Sequence, residues 1–179
     1  MRKQKMSVKR LLSYRFLAYT TDFLIMLLFV VVFQFGFSFL TAGVVNNSLS
    51  TPLSLYTWVL LTVTLPVYLY FILCEYSKAH ATIGKRIFRL KVMSDKGTLG
   101  LWQSTIRNFI KVTIPWEATH LALFFPTPIL LNPNNDEIRM TLFIPYIIFA
   151  IYAIYLLATK GRKTLHDAVA RTNVQYITK

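Results

Sequence analysis

The segment from Arg15 to Leu40 constrains this chain more than any other, because it is long and apolar enough to cross a bilayer. A helix needs about 20 apolar residues, at a rise of about 1.5 Å each, to span the hydrocarbon core. Yet the segment begins with Arg15 and carries Asp22 two helical turns inside. Because an aspartate near mid-membrane costs about 2.5–3.5 kcal/mol, we expect Asp22 to have a partner, either a fixed cation or a bound one.

Further apolar segments predict an integral membrane bundle. The chain is 55% hydrophobic and only 15% charged, with a mean hydropathy of +0.48, whereas soluble domains are about one quarter charged. Prolines at 115, 126 and 128 predict that the third span is short, kinked or broken. We expect an all-α single domain over residues 1–179 with four transmembrane helices, at about 16–40, 53–74, 110–131 and 140–159.

The positive charges predict the topology. The formal net charge is +13, and the 20 lysines and arginines cluster: six lie in residues 1–15, eight in 78–111 and five in 160–179. Basic residues in alternate loops are the positive-inside signature, so loop 76–105, tail 160–179 and both termini are expected in the cytoplasm. A nucleic-acid-binding domain would need a soluble basic face, and the apolar spans leave no room for one.

The long polar loop contains a candidate strand. Ile87, Phe88, Leu90 and Val92 alternate with basic neighbours and predict a short strand or an interfacial segment. This strand could pair with the stretch TNVQYI at 172–177, which would make a small cytoplasmic β-ribbon under the bundle.

The sequence has no residue pattern typical of an enzyme active site, a metal site or a cofactor site. Cys74 is the only cysteine, and the three histidines stand far apart, so no metal-ligand spacing occurs. The stretch TIGK lacks the spacing of a phosphate-binding loop. We therefore expect a protein that is not an enzyme and needs no metal or cofactor.

Asp22 has two interpretations that the sequence leaves open. Arg15 and Asp22 are seven residues apart and share one helix face, with Ala18 between them. In the first interpretation Asp22 pairs with Arg15, Lys85 or Arg107 and locks the bundle. In the second it binds and releases a cation or proton from a cavity open to the cytoplasm, since burial raises a carboxyl pKa.

Glu117 and His120 are a second candidate pair. Three residues apart on a helix, they share a face, and Pro115 frees backbone carbonyls nearby. They could form a proton relay. Alternatively, Glu117 satisfies Arg107 or Lys111, and His120 hydrogen-bonds a neighbouring helix.

Asp167 and the basic loop also have structural interpretations. Thr164 and Asp167 have the spacing of a capping box, while Asp167 could instead reach Arg15 or Lys85 and lock the bundle. The basic group at Lys85, Arg86, Arg89 and Lys91 predicts a collar for anionic lipid headgroups, at about 1 kcal/mol per residue. Arg107 is assigned to the same basic cytoplasmic loop.

Three sequence blocks resemble the RDD family of small membrane proteins. The first holds Arg15, Ala18 and Asp22, the second is ATIGKRIFRLKVMSDKGTLGLWQSTIRN, and the third is GRKTLHDAVARTNV. The family takes its name from one arginine and two aspartates, which map here onto Arg15, Asp22 and Asp167. The resemblance implies a bacterial inner-membrane protein involved in transport, with Na⁺/H⁺ exchange as one activity linked to some members.

Two functions follow as hypotheses. In the first, the chain moves an ion or small solute: Asp22 is the central carboxylate, Arg15 tunes it, and Glu117 with His120 is an accessory relay. Because four helices enclose little volume, this hypothesis expects a homo-oligomer. In the second, the chain is a non-transporting scaffold or regulatory module for a partner membrane protein, and Arg15, Asp22 and Asp167 are structural.

Overall fold

The computed structural model describes residues 7–41, 49, 51–125, 143–160 and 163–177, which are mostly helical. In chain order the elements are α1 (Val8–Leu40), α2 (Pro52–Tyr76), α3 (Ile83–Ile87), β1 (Leu90–Ser94), α4 (Leu101–Asn108), α5 (Ile114–Phe124), α6 (Phe143–Ala158), α7 (Leu165–Val169) and β2 (Thr172–Tyr176). A π-helical stretch, Phe109–Thr113, joins α4 to α5.

Two helices in the described part, α1 and α2, are long and apolar enough to cross a membrane. Their apolar side chains are widely exposed, as Phe35 at 74% and Leu40 at 82% show, which is costly in water and normal in lipid. Within the predicted fourth span lies the 16-residue apolar helix α6, which is shorter than a membrane span, so the four predicted spans stay a prediction. Residues 126–131 and 140–142 of the third and fourth predicted spans, with Pro126 and Pro128, lie outside the described residues.

Helix α1 begins eight residues before the predicted span. Ser7 caps it, because the Ser7 side chain accepts a hydrogen bond from the Arg10 backbone N–H at 3.4 Å. The buried residues of α1 are Arg15, Ala18 and Asp22, which confirms that these three share one face. The rest of the helix presents apolar side chains outward, so one polar stripe faces the protein and the other faces suit lipid.

Both α2 and the α4–α5 segment contain a π-helical stretch just before a proline. In α2 the stretch is Leu60–Thr64, followed by Pro66; in the third segment it is Phe109–Thr113, followed by Pro115. Proline lacks an N–H and its ring clashes with the preceding turn, so the regular helical ladder cannot continue there. In the described part of the third segment, residues 101–124, the predicted irregularity is therefore the π-helical stretch, where the helix is wider than a regular α-helix.

The predicted β-ribbon is present. Strands β1 and β2 pair antiparallel, with Leu90 opposite Tyr176, Val92 opposite Val174, and Ser94 opposite Thr172. The sheet packs against α1 through a buried cluster of Ala18, Leu90, Val92, Leu99 and Val174. The prediction was wrong at one end, because Ile87 belongs to helix α3, and Arg89 in a left-handed conformation (φ 55°) precedes the strand.

Candidate functional site

Charged side chains from several elements converge where the helices meet the small sheet. We call this set the buried charge cluster. Six of its residues are at most 4% exposed, and the seventh, Lys111, has a side chain that is 9% exposed. Helices α1, α2, α3, α4 and α7 and the π-helical stretch supply its members, which are Arg15, Asp22, Glu75, Lys85, Arg107, Lys111 and Asp167.

Asp22 is enclosed by three hydrogen-bond donors. The Tyr70 hydroxyl donates to Oδ1 at 3.0 Å, the Gly84 backbone N–H donates to Oδ1 at 2.9 Å, and the Thr82 hydroxyl donates to Oδ2 at 2.5 Å. All three donors are electrically neutral. Since Asp22 is 1% exposed, its negative charge is held by fixed dipoles in a dry environment.

The prediction that Asp22 pairs with Arg15, Lys85 or Arg107 was wrong. Among the described residues, no lysine or arginine nitrogen lies within 4.0 Å of the Asp22 carboxylate; the three predicted partners bind other acids instead. Sequence reasoning expected a cation because it considered charged partners alone. Helix α3, which brings two of the three neutral donors, was not predicted.

A glycine allows α3 to approach Asp22. A Cβ added at Gly84 would stand 2.3 Å from the Ala18 carbonyl oxygen and 3.0 Å from Asp22 Cγ. No side chain fits there, because Cβ contacts below 3.0 Å essentially do not occur. Gly84 therefore lets the backbone of α3 lie against α1, which brings the Gly84 N–H within reach of the carboxylate.

Glu75, a fully buried acid of the cluster, was absent from the predicted site. It is 0% exposed and accepts hydrogen bonds from Lys85 Nζ, from Arg107 Nη1 at 3.2 Å and from Asn108 Nδ2 at 3.0 Å. Lys111 Nζ lies 3.8 Å from its Oε1. The available signal was an acid at the end of an apolar span with a basic loop directly after it, since a charge there needs a cation partner.

Asp167 both caps a helix and ties the tail to the bundle. It completes the predicted capping box with Thr164, whose backbone N–H donates to Oδ2 at 3.4 Å. It also pairs with Arg107 Nη2 at 3.0 Å and Arg15 Nη1 at 3.6 Å. Arg15 in turn donates to the Val174 carbonyl of β2 at 3.2 Å. Both predicted roles of Asp167, the helix cap and the link to Arg15, are therefore confirmed.

The charges around Asp167 fix its ionisation. Burial raises the pKa of the Asp167 carboxyl most, but Arg107, Arg15 and the Thr164 hydrogen bond together lower it by more, so the pKa lies below its usual range. Burial holds the pKa of His166 well below its usual value, so this ring is neutral at pH 7. The buried charge cluster thus contains four basic and three acidic side chains, and His166 beside it adds no charge at pH 7.

The predicted lipid collar needs correction at Lys85. Its side chain is 2% exposed and is bonded to Glu75, so it cannot reach headgroups. Arg107, also predicted to belong to the basic loop, is 0% exposed and bridges Glu75 and Asp167. Arg86 is exposed, and it donates to the Ala81 carbonyl at 3.0 Å.

Glu117 and His120 form a separate polar pair in α5. The Glu117 carboxylate accepts hydrogen bonds from the Thr64 hydroxyl at 2.7 Å and the Tyr56 hydroxyl at 2.8 Å. His120 Nδ1 lies 3.7 Å from Glu117 Oε1, which confirms that the two share a face. The alternative that Glu117 satisfies Arg107 or Lys111 was wrong, because those residues lie beside Glu75.

The described residues contain no group of three histidine, cysteine or acidic side chains that could hold a metal ion. The carboxylates of the buried charge cluster are already occupied by donors or cations. Glu117 differs, because its described partners are two hydroxyls and a histidine, all of which can rearrange when a proton is gained or lost.

Comparison with known protein families matches residues 10–171 to the RDD family. This range includes Arg15, Asp22 and Asp167, which the structure brings to one cluster. No curated protein and no solved structure matches the chain significantly.

Proposed function

The chain belongs to the RDD family, and we propose that it is a four-span inner-membrane domain that transports an ion or small solute in a proton-coupled way. The observation that carries the proposal is the Glu117–His120 pair. Two titratable groups lie 3.7 Å apart inside an apolar helix, and no lysine or arginine among the described residues pairs with them. Such a pair can exchange protons more readily than a carboxylate fixed by guanidinium groups.

In this proposal both termini lie in the cytoplasm. The basic clusters at both ends and in the loop before α4 support that orientation. Arg86 in α3 and Arg89 just after it are exposed and suited to anionic headgroups, so the bilayer surface is a partner. The small volume enclosed by the helices supports a homo-oligomer.

The buried charge cluster serves as the fixed frame of this transporter. Arg107 joins α4 to both α2 and α7, and Arg15 joins α1 to α7 and β2. Asp22 is a poorer carrier than Glu117, because one of its three donors is the Gly84 backbone N–H, which cannot turn its hydrogen away from a visiting cation as a hydroxyl can.

Oxygen atoms around Glu117 suit a hard cation better. The Thr64 and Tyr56 hydroxyl oxygens lie within 2.8 Å of the carboxylate, and alkali and alkaline-earth cations prefer such oxygen ligands. Alternate occupancy of this site by Na⁺ and by a proton would give Na⁺/H⁺ exchange, the finer form of the proposal.

Ion flux in proteoliposomes tests the proposal. Purified chain is reconstituted, a pH gradient is imposed, and Na⁺ and proton movement are followed with fluorescent indicators. Glu117→Gln and His120→Gln should abolish gradient-driven flux while the variants stay folded. Asp22→Asn, which keeps the shape of the side chain, serves as the matched control. The fraction of this variant that folds should show the same flux per molecule as the wild type. Wild-type flux from Glu117→Gln would refute the role of the pair.

A second candidate is a non-transporting scaffold or regulatory module for a partner membrane protein. It is favoured because the carboxylates of Asp22, Glu75 and Asp167 already have hydrogen-bond donors or cations as partners, as expected of residues that stabilise the fold. In this case the folded wild-type chain shows no ion-coupled flux in proteoliposomes, and one partner protein co-purifies at a fixed ratio.

A further inference from the structure

Helix α4 is amphipathic in the opposite sense to a helix whose outer face is in water. Three of its polar side chains, Ser104, Arg107 and Asn108, are fully buried. Its two most exposed side chains are apolar, Trp102 at 72% and Leu101 at 49%. A surface helix in water instead buries its apolar stripe and exposes its polar face. The outer face of α4 therefore suits hydrocarbon better than water.

Contacts with α2 give the level of α4 along that membrane-length helix. The Ser104 hydroxyl donates to the Ile72 carbonyl at 3.1 Å, and Ile72 lies four residues, or about 6 Å, before the end of α2 at Tyr76. One turn further from that end, the Tyr68 ring meets the Phe109 ring edge-on, with the ring centroids 6.4 Å apart. Since α2 has 25 residues and is about 37 Å long, it exceeds a hydrocarbon core of about 30 Å by only about 3–4 Å at each end. A bilayer centred on α2 therefore also surrounds Phe109 and the C-terminal half of α4.

The helical backbone continues from α4 through the π-helical stretch to the end of α5. Residues 101–124 thus form one helical segment about 35 Å long, which is enough to cross a hydrocarbon core of about 30 Å. The charged side chains of this segment, Arg107, Lys111 and Glu117, are at most 15% exposed, so they face the protein. A span that began at residue 110, as hydropathy predicts, would instead leave the apolar outer face of α4 in water.

Helix α3 presents its side chains in the same way. Gly84 and Lys85 are buried, whereas Ile87 and Ile83 are 60% and 41% exposed. The Ile83 backbone N–H donates to the Tyr70 hydroxyl at 3.1 Å, and Tyr70 lies six residues, or about 9 Å, before the end of α2. Helix α3 therefore reaches the same level of α2 as α4 does.

We propose that the inner leaflet of the bilayer covers the outer faces of α3 and α4. The third span then begins near Leu101, and the buried charge cluster lies at the inner boundary of the membrane rather than in the cytoplasm. Charge favours lipid over a second copy of the chain: Arg86 and Arg89 are exposed, the inner leaflet carries anionic lipid, and a second copy would bring the same net charge of +13. Trp102 near the boundary also fits, since tryptophan is enriched at membrane interfaces. The inference rests on the membrane placement in the proposed function, but it does not depend on proton transport.

Spin-label accessibility tests this placement. In a Cys74→Ser background, a nitroxide is attached to the cysteine introduced by Trp102→Cys or by Phe109→Cys, both at exposed positions. Leu73→Cys is the matched control on α2, because Leu73 is 59% exposed near the end of that helix, and Lys96→Cys in the exposed turn after β1 is the control in water. Each labelled chain is reconstituted into vesicles of zwitterionic and anionic phospholipid. Collision rates are measured with oxygen, which concentrates in hydrocarbon, and with a polar nickel chelate.

The oxygen-to-nickel collision ratios at the Trp102 and Leu73 sites should agree with each other. Both should exceed the ratio at the Lys96 site by at least about fivefold, because a polar chelate is excluded from hydrocarbon. The Phe109 site, about 10 Å further along the helix, should give a still higher ratio. Two results overturn the inference while leaving transport untouched: a Trp102 ratio equal to that of Lys96, or a label at Trp102 that neither reagent reaches because protein covers it. If the Leu73 site also gives the ratio of Lys96, α2 itself lies outside the bilayer, and the membrane placement in the proposed function fails together with the inference.

Discussion

Replacing Glu75 by glutamine should destabilise the fold more than any other single removal of charge from the cluster. The substitution keeps the shape of the side chain and leaves it 0% exposed, but it removes the carboxylate that three cations share. Two carboxylates would then face four buried cations. Lys85 would lose its only close acid, because its Nζ pairs with Glu75 alone among the described residues.

The expected loss follows from the burial of the pair. Removing one partner of a buried ion pair costs about 3–5 kcal/mol, because the remaining charge stays desolvated. For a chain of 150–250 residues, each kcal/mol shifts the unfolding midpoint by about 2–4 °C. We therefore expect Glu75→Gln to lower the thermal midpoint in detergent by about 6–20 °C.

An exposed ion pair of the same chain supplies the control. Lys163 Nζ lies 2.9 Å from Asp95 Oδ2, and the two side chains are 40% and 37% exposed. Asp95→Asn should cost less than about 1 kcal/mol, since solvent screens such pairs. The double variant Glu75→Gln, Lys85→Met should recover part of the lost stability, because it removes the orphaned cation as well.

The assay is the unfolding midpoint of each purified variant, measured by circular dichroism and by exposure of Cys74 to a thiol reagent. If Glu75→Gln matches Asp95→Asn within about 1 kcal/mol, the cluster is solvated or rearranges freely. The reasoning about a dry, shared carboxylate would then be refuted.

Two further substitutions probe other parts of the same cluster. Gly84→Ala should displace α3 from the Ala18 carbonyl, break the hydrogen bond from the Gly84 N–H to Asp22 and cost at least about 1–3 kcal/mol of unfolding free energy. As the control, Gly36→Ala should not destabilise the chain, because no atom lies within 4 Å of the added Cβ. Equal unfolding midpoints for the two variants would contradict the close packing at Gly84. Because the pKa of Asp167 is lowered on folding, its carboxylate stabilises the chain above the ordinary value of about 3.9, and this stabilisation is lost as the pH falls below it. The midpoint difference between wild type and Asp167→Asn should stay constant from about pH 8 to 5 and shrink below about pH 4; shrinkage already between pH 8 and 5 would contradict this assignment.

The elements that depend on local pattern were predictable from the sequence. Apolar length located α1 and α2, alternation located β1 near Leu90, and the Thr164–Asp167 spacing located the cap of α7. Each of these signals arises within one segment, so no knowledge of distant contacts is needed. Helix α3 was missed because five residues between polar neighbours carry little periodic signal.

The sequence offered the Arg15–Asp167 pair only as one alternative, and the other partners of the charges were not predictable from the residues that carry them. Spacing showed that Arg15 and Asp22 share a helix face, and the face is indeed buried, yet Arg15 pairs with Asp167 across most of the chain length. Asp22 is satisfied by hydroxyl and backbone donors, which carry no formal charge and so escape a search for opposite charges. Glu75 was passed over because an acid at a span end before a basic loop indicates the need for a cation partner but not which cations it meets.

The sequence alone determined that this chain carries membrane-length apolar helices, a basic loop and tail, and buried charges that need partners, because hydrocarbon length and the free energy of burying a charge depend on residue type. Only the tertiary structure decided which partner each charge has. That choice depends on the angle at which α3, α4 and α7 meet α1 and α2, and a close approach such as that of Gly84 to Ala18 sets it. Side chains far apart in sequence become neighbours only when those contacts form.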